Sequence, residues 1–384
     1  MKEYPYFDSI LPPENAIPRR RKIVRRYFQS LTFGALIRIL RRNHFAFEMR
    51  FVDKLVVLSL ISTLVSAFQG VEKLLFHRQV KAAKLAGPPV FILGHWRNGT
   101  THLHNLMARD DNFTYAQTYQ FLFPGSFLLR STQKLAERMD WINPLKTRQV
   151  DNIRFGMHEA AEDELILVAL TGISPFASFM FPKRLKTKYQ RRYIDFQSDK
   201  DRQIWSKAMM TLLKRITLLS NKTVLLKSPT HTARIKVLLN LFPQAKFIHI
   251  IRNPYDVFAS NLKLWRDIYS HKFLQKANQV EIAEIILSIY EHMYKIYHKE
   301  KSLIPQGHLV EITYEELEKD PLGCLGTIYD QLELSDFDVF STRAEAYLSQ
   351  IKGYKKNEFR IPEEVRKIVR QRWAGNFQLF GYRE

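Results

Sequence analysis

The sequence predicts an α/β fold with a central parallel sheet flanked by helices and preceded by a helical N-terminal extension. Helical patterns at 232–241 and 282–297 alternate with short apolar runs. Strands that alternate with helices favour a parallel sheet that is covered on both faces. The predicted strands are VFIL (Val90–Leu93), TVLLK (Thr223–Lys227), KFIHII (Lys246–Ile251) and HLVEIT (308–313).

Composition and charge limit the classes of function. The chain has 384 residues, of which 46% are hydrophobic and 25% charged, which is typical of a folded protein. Its 59 Lys and Arg against 38 Asp and Glu give a net charge of +21, which favours an anionic partner such as a nucleotide, a nucleic acid or an acidic membrane. The single cysteine, Cys324, and an N-terminus without a secretory pattern predict a cytoplasmic protein.

A break at Gly87-Pro88-Pro89 divides the chain into an N-terminal extension (1–86) and a main domain (87–384). Residues 1–18 are predicted to form an extended arm, and residues 19–86 to be helical. The segment 55–68 carries no charge but is shorter than the roughly 20 residues that span a bilayer. We expect a buried helix there. Alternatively, the helix lies at a membrane surface beside the basic run at 19–26, as a peripheral contact.

The segment GHWRNGTTHLHNLM (94–107) follows a predicted strand and is expected to open a helix near Thr100. Its glycines let backbone N–H groups turn toward a phosphate, and the helix N-terminus adds partial positive charge. Thr100 and Thr101 supply hydroxyl groups. An ATP-binding P-loop has lysine where Thr100 stands, whereas the cation here is Arg97. This difference disfavours a P-loop kinase, which is the alternative enzyme class.

A second phosphate motif is predicted in FIHIIRNPYDVFASNLKLW (247–265). Arg252 follows an apolar strand, Pro254 suits the first turn of a helix, and Ser260 lies two turns into that helix. A guanidinium beside a hydroxyl suits a phosphate monoester. Alternatively, the Arg-Asn-Pro turn only begins a helix.

Together these two motifs resemble the donor site of sulfotransferases that use 3′-phosphoadenosine-5′-phosphosulfate (PAPS). GHWRNGTT resembles their 5′-phosphosulfate loop, and IIRNPYDVFAS resembles their 3′-phosphate motif. The blocks 227–254 and 312–321 are similar to the bacterial-type branch, so the resemblance covers about residues 88–325. It implies a P-loop-like three-layer fold, PAPS as co-substrate and PAP as product.

The resemblance also implies which residues bind the donor. Arg97 matches the cation on the transferring oxygens, and Arg252 and Ser260 match the ligands of the 3′-phosphate. The glycine-rich C-terminal motif of the cytosolic members is not evident, so QRWAGNFQLFGY (371–382) is expected to close the site differently. The remaining donor-binding positions implied are Asn98, Gly99, Thr100, Thr101 and Lys227.

The acceptor hydroxyl needs a general base, for which His158 is the first candidate. Its distance from Arg97 along the chain is similar to the lysine-to-histidine spacing of the cytosolic enzymes. His158 and Glu162 are four residues apart, so on a helix they would share a face and the carboxylate could orient the imidazole. Glu164 is the alternative base, and a third interpretation is that these residues only begin a helix.

We expect no catalytic metal, although His95, His102 and His104 lie around the first motif, because no cysteine or carboxylate set completes a site. No nucleic-acid partner is expected, since the pattern of an RNA-binding module is absent. Aromatic residues follow both the first motif and the base segment, which predicts an apolar acceptor such as a sterol or lipid alcohol. Glycan, phenol and tyrosyl acceptors remain alternatives, and the aromatic residues could instead fill the core. They are Tyr119, Phe121, Phe123, Phe127, Phe176, Phe179 and Phe181.

Overall fold

The computed structural model describes residues 30–142, 156–184, 194–196, 198–269, 274–275, 282–351 and 359–382. The basic run at 19–26 lies outside them. The strands are β1 (Val90–Leu93), β2 (Phe113–Tyr115), β3 (Thr223–Lys227), β4 (Lys246–Ile251) and β5 (Leu309–Thr313). The helices are α1 (Phe33–Arg42), α2 (Val52–Ala82), α3 (Thr100–Met107), α4 (Thr118–Leu122), α5 (Arg130–Ile142), α6 (Asp163–Thr171), α7 (Asp199–Leu219), α8 (Ile235–Leu241), α9 (Pro254–Tyr269), α10 (Ile282–Glu300), α11 (Tyr314–Lys319), α12 (Pro321–Gln331), α13 (Phe337–Gln350) and α14 (Glu363–Leu379).

The five described strands form one parallel sheet in the order β2-β3-β1-β4-β5. In its register, Ile92 of β1 lies between Lys227 of β3 and Ile248 of β4. The predicted strands are confirmed, although β5 begins one residue later than expected. The short edge strand β2 was not predicted.

Side chains of the sheet alternate between two hydrophobic cores, because successive residues of a strand point to opposite faces. Phe91 and Leu93 of β1 enter one core, and Val90 and Ile92 enter the other. Helices α1, α6, α7, α9, α10 and α14 contribute to the first core, and α3, α12 and α13 contribute to the second. The predicted three-layer α/β fold with a helical N-terminal extension is confirmed.

The described part of the N-terminal extension packs onto the main domain. Helix α1 is capped by Thr32, whose backbone N–H donates to the carbonyl oxygen of Ala169 at 2.8 Å. Leu36 and Ile39 of α1 are fully buried in the first core. Helix α1 therefore shares the core of residues 87–384, and the division into two domains stays a prediction.

Helix α2 contains the uncharged segment 55–68 but is largely exposed. Leu60 is 64% exposed and Leu64 60%, so the interpretation of this segment as a buried helix is wrong. Within the described residues, one helical stretch, Met49–Ala82, has the length and composition needed to cross a bilayer.

Candidate active site

The first predicted phosphate motif forms a tight loop between β1 and α3. Gly94 has φ +146°, and a Cβ there would lie 2.7 Å from the carbonyl oxygen of Ile250. Gly99 precedes α3 at φ +93°, and a Cβ there would lie 2.3 Å from the ring of Tyr314. Only glycine suits both positions, since each combines a left-handed conformation with backbone or ring contact. The loop thus leads from the end of β1 directly into α3, whose first N–H groups have no partner within the helix.

Buried side chains anchor this loop from behind. The amide of Asn98 donates to the carbonyl oxygen of Ile250 at 3.0 Å and to the hydroxyl of Tyr294 at 2.9 Å. The carbonyl oxygen of Trp96 accepts from the amide of Asn261 at 2.9 Å. These bonds tie the loop to the end of β4, to α9 and to α10, so its backbone is held before any ligand arrives.

Arg97 lies at the centre of the loop and is joined to the second motif. It adopts φ +72°, an uncommon conformation for a residue with a side chain. Its Nε donates to the hydroxyl of Ser260 on α9 at 2.8 Å. Arg252, just after β4, donates from Nη1 to the carbonyl oxygen of Arg97 at 3.3 Å. The structure therefore brings together Arg97, Arg252 and Ser260, which lie far apart in the sequence.

Tyr314 supports Arg252 and had no assigned role at the sequence level. The guanidinium of Arg252 lies 4.3 Å from the centre of the Tyr314 ring, and its Nη2 lies 3.5 Å from Asp256. The Nε of Arg252 is buried and has no hydrogen-bond partner among the described residues. Such a donor suits an anionic ligand. In the sequence, only the position of Tyr314 directly after β5 could have indicated this role, because both motifs also follow the carboxyl ends of strands.

A lysine–carboxylate pair lies on the other side of the loop. Lys227, the last residue of β3, places its Nζ 3.2 Å from the hydroxyl of Thr101 and 2.6 Å from the Oε1 of Glu162. The side chain of Lys227 is only 3% exposed, whereas that of Glu162 is 20% exposed. The structure thus connects three of the predicted site residues, Thr101, Lys227 and Glu162.

The helix that carries the acidic residues begins later than the base prediction requires. Helix α6 starts at Asp163, Glu162 precedes it in extended conformation, and His158 lies in a turn. The expectation that His158 and Glu162 share a helical face is therefore wrong. The turn is imposed by backbone pairing between Gln117 and Ala160, which prevents helix formation at this point.

His158 lies on the surface of this turn. Its side chain is 46% exposed, and its Nδ1 lies 3.1 Å from the Oε1 of Gln117. Its Nε2 lies 3.9 Å from Asp140, and its ring packs at 5.4 Å from that of Tyr119. These contacts connect His158 to Gln117 and α5, not to Glu162.

Asp163 fixes the start of α6. Its carboxylate accepts from the hydroxyl of Ser228 at 3.0 Å and pairs with the Nε2 of His231 at 2.7 Å. Burial alone would raise the pKa of Asp163, but the charge and hydrogen bond of His231, with that of Ser228, lower it overall. Since Ser228 follows Lys227, this contact holds the start of α6 beside the end of β3.

Glu164 is fully buried among groups that neutralise it. Its carboxylate accepts from Arg234 Nη1 at 2.8 Å and Nη2 at 3.2 Å, and from the indole of Trp205 at 3.1 Å. Both side chains of the Glu164–Arg234 pair are 0% exposed. This carboxylate has no open path to an acceptor hydroxyl, so its geometry favours a structural role over that of a base.

An aromatic cluster adjoins the loop at Trp96, the neighbour of Arg97. Trp96 packs edge-to-face against Phe176 at 6.4 Å and Trp265 at 6.5 Å, and Phe179 lies 5.4 Å from Trp265. Phe176 is partly buried, whereas Phe179 is 7% exposed. We refer to Trp96, Phe176, Phe179 and Trp265 as the aromatic cluster. Phe123 packs partly buried against the same core. The other aromatic residues singled out by the sequence fill that core: Tyr119, Phe121, Phe127 and Phe181.

The C-terminal segment 371–382 packs behind the loop. Trp373 stacks on Tyr290 at 3.7 Å, and the ring of Tyr290 lies 5.1 Å from that of His95. Burial lowers the pKa of His95 to about 4, so the ring is neutral near pH 7. In the part of the chain that the structure describes, no three His, Cys, Asp or Glu residues are arranged to hold a metal ion. The expectation of metal-free chemistry stays a prediction.

Comparison with known proteins identifies the family. A profile of the sulfotransferase family matches residues 88–338. The omega-hydroxy-beta-dihydromenaquinone-9 sulfotransferase Stf3 of Mycobacterium tuberculosis and of Mycobacterium bovis is 34% identical over 352 residues, which cover 91% of this chain and 89% of Stf3.

Solved structures show the same fold. Sulfotransferase STF9 of Mycobacterium avium superposes with a TM-score of 0.66 at 19% identity over 82% of each chain. Sulfotransferase STF1 of M. tuberculosis superposes with a TM-score of 0.63 at 15% identity, over 91% of this chain and 92% of STF1. The five-stranded parallel sheet, the glycine loop with its arginine and the extensive match to Stf3 lead to one conclusion: this chain is a member of the sulfotransferase family.

Proposed function

We propose that this sulfotransferase moves the sulfuryl group of PAPS to the hydroxyl of a long apolar lipid alcohol. The observation that carries the proposal is the joining of Arg97, Arg252 and Ser260 across two strand ends. Two guanidinium groups and the N-terminus of α3 suit a donor whose ribose carries an anionic group at its 3′ position and another at its 5′ position.

The loop and the Arg252 segment would bind different parts of the donor. Arg97, Thr100 and Thr101 line the loop that would hold the 5′-phosphosulfate, where charge on the transferring oxygens develops. Arg252, whose buried Nε has no hydrogen-bond partner in the described part of the chain, and Ser260 would hold the 3′-phosphate. Arg252 is therefore the residue that distinguishes PAP from a nucleotide lacking the 3′-phosphate.

Calorimetry with PAP and 5′-AMP tests the donor assignment. Arg252→Ala is expected to weaken PAP binding by about 1.5–3 kcal/mol, because a charged hydrogen bond is lost, and to leave AMP binding nearly unchanged. Arg343→Ala is the matched control, since Arg343, on the exposed surface of α13, pairs with Asp111. An equal loss for PAP and AMP would contradict the assignment.

The acceptor proposal rests on the aromatic cluster beside Arg97. Pockets for apolar small molecules are lined by such side chains, with few polar groups to orient the ligand. The name of the relative Stf3 gives an omega-hydroxylated menaquinone derivative as its substrate, which is an alcohol on a long apolar chain. We extend this class of acceptor, a hydroxylated isoprenoid or other lipid alcohol, to the present chain.

A comparison of acceptors at fixed PAPS tests this proposal. Phe176→Ala is expected to raise KM for long-chain alcohols about tenfold or more, because burial of one phenyl ring contributes about 1.5–3 kcal/mol. Phe337→Ala is the matched control, a partly buried phenylalanine in the second core. Efficient transfer to oligosaccharides, phenols or tyrosyl peptides, with none to lipid alcohols, would refute the assignment.

Among His158 and the acidic residues that follow it, Glu162, which was predicted only to orient His158, is best placed to accept the acceptor's hydroxyl proton. It is partly exposed, and through Lys227 it is joined to Thr101 of the loop. A carboxylate here can take the proton as the oxygen attacks sulfur, while Lys227 stabilises negative charge on the transferring group. His158 is the competing assignment, since its imidazole is open to solvent.

Paired substitutions separate these bases. Glu162→Gln is expected to lower kcat by about 10²-fold or more and to leave PAP affinity nearly unchanged. Glu159→Gln is the matched control, because the Glu159 side chain is also 20% exposed and pairs with Arg109 at 2.9 Å. If His158→Gln abolishes turnover and Glu162→Gln does not, the base is His158.

A further inference from the structure

Helix α2 exposes a continuous apolar surface that the donor site does not use. Residues 55–71 carry no charge. Along one side of the helix, at spacings of three and four residues, every large side chain is apolar and between 48% and 64% exposed. At about 1.5 Å per residue, this row extends for about 27 Å. We refer to it as the outer face, which consists of Val57, Leu60, Leu64, Phe68, Val71 and Leu75.

The opposite side of α2 holds the helix flat against the protein. Ser66 accepts from the backbone N–H of Phe33 at 2.8 Å. Glu72 accepts from the backbone N–H of Leu128 at 2.7 Å and pairs with Arg215 of α7 at 2.5 Å. Since these contacts occur along the helix, α2 cannot be surrounded by lipid while the fold stays intact. The outer face can enter only one leaflet, lying parallel to the membrane.

The charged residues around the outer face indicate which kind of partner it binds. Lys54 lies at the N-terminal end of the helix, where Arg50 pairs with Glu48, and Arg78 and Lys81 lie at the C-terminal end. Glu72 is buried, and Asp53 is the one exposed acidic residue within α2. If two copies packed in parallel through this face, the basic C-terminal ends would meet each other. An anionic lipid headgroup complements both ends.

From these observations we infer that the outer face of α2 docks this enzyme onto an anionic lipid bilayer. The apolar side chains enter the acyl boundary, and the basic residues at both ends contact anionic headgroups, as in interfacial helices. The inference is independent of the proposed acceptor, since it rests on α2 and not on the aromatic cluster.

Sedimentation with phosphatidylcholine vesicles, with and without phosphatidylglycerol, tests the docking surface. The full chain is expected to bind the anionic vesicles and to bind the neutral ones several-fold more weakly. Leu64→Glu is expected to lower the partition coefficient about tenfold or more, since a charge replaces a lipid-buried leucine. Val339→Glu is the matched control, because Val339 on α13 is also 60% exposed, and it is expected to bind like the parent.

Two further measurements make the test decisive. PAP affinity and the thermal midpoint should be unchanged in Leu64→Glu, which shows that lost binding is not lost folding. Light scattering without lipid tests whether a second copy of the chain covers the outer face instead. A dimer that Leu64→Glu dissociates, with no vesicle binding, would overturn the inference and assign the face to a second copy. Vesicle binding that Leu64→Glu leaves unchanged would also overturn it, and would assign binding to another surface.

Discussion

Substitution of Glu164 by glutamine tests whether this carboxylate stabilises the fold or acts as the general base. The change removes the charge that faces Arg234 while keeping the size of the side chain. Arg234 then stays fully buried beside a neutral amide in place of a carboxylate, while its Nε still donates to the carbonyl oxygen of Ile194 at 2.8 Å. Breaking one side of a buried ion pair typically costs about 3–5 kcal/mol, so we expect a loss of unfolding free energy in that range.

Urea unfolding measures this loss, and turnover per PAP-binding site measures the chemistry of the molecules that remain folded. The Glu164→Gln variant should keep most of its turnover per binding site. Glu162→Gln serves as the opposite case, with a smaller loss of stability and a large loss of kcat. If Glu164→Gln has the stability of the parent and its turnover falls 100-fold or more, then Glu164 is the base and the structural interpretation fails.

Two other predictions concern the loop. Gly99→Ala is expected to weaken PAP binding and lower the thermal midpoint, because its Cβ would strike Tyr314; Gly307→Ala is the matched control, with φ +78° and nothing within 4 Å. A midpoint for Gly99→Ala that equals that of Gly307→Ala would contradict this. Because burial lowers the pKa of His95 to about 4, the unfolded chain binds this proton first as pH falls. The free energy of unfolding should therefore fall as pH is lowered from about 6.5 to about 4. Between pH 7 and pH 5, urea unfolding should show that the His95→Gln variant loses about 2 kcal/mol less unfolding free energy than the parent. Identical pH dependence in both proteins would refute the assignment.

The parts of the donor site that the sequence predicted are local in the chain. The loop 94–101 and the segment around Arg252 each combine a buried strand, a turn residue and a helix start, and these signals lie within a few residues of one another. Tyr294, which anchors Asn98 from 196 positions away, has no comparable local signal. Strand β2 was missed because it has three residues, too few for a hydrophobic pattern to form.

The prediction that His158 and Glu162 share a helical face was wrong because of a tertiary contact. Spacing of four residues between His158 and Glu162 indicates a shared face only if a helix is present. Here the backbone pairs with Gln117 instead, and the helix begins after Glu162. Such strand-like pairing depends on a partner about 40 residues earlier, so local periodicity could not show it.

The outward position of the apolar face of α2 follows from the residues on its inner side. Turning the helix by half a turn would bring Glu72 into solvent and leave Arg215, which is 5% exposed, without its counter-charge. The same rotation would press large side chains against Gly125, where even a Cβ would lie 2.8 Å from the carbonyl oxygen of Val65. The uncharged run at 55–68 was interpreted as a buried helix because it is shorter than a bilayer span. The buried ion pair and the close contact at Gly125 instead fix the rotation of α2, so the exposed apolar surface is a consequence of the packing beneath it.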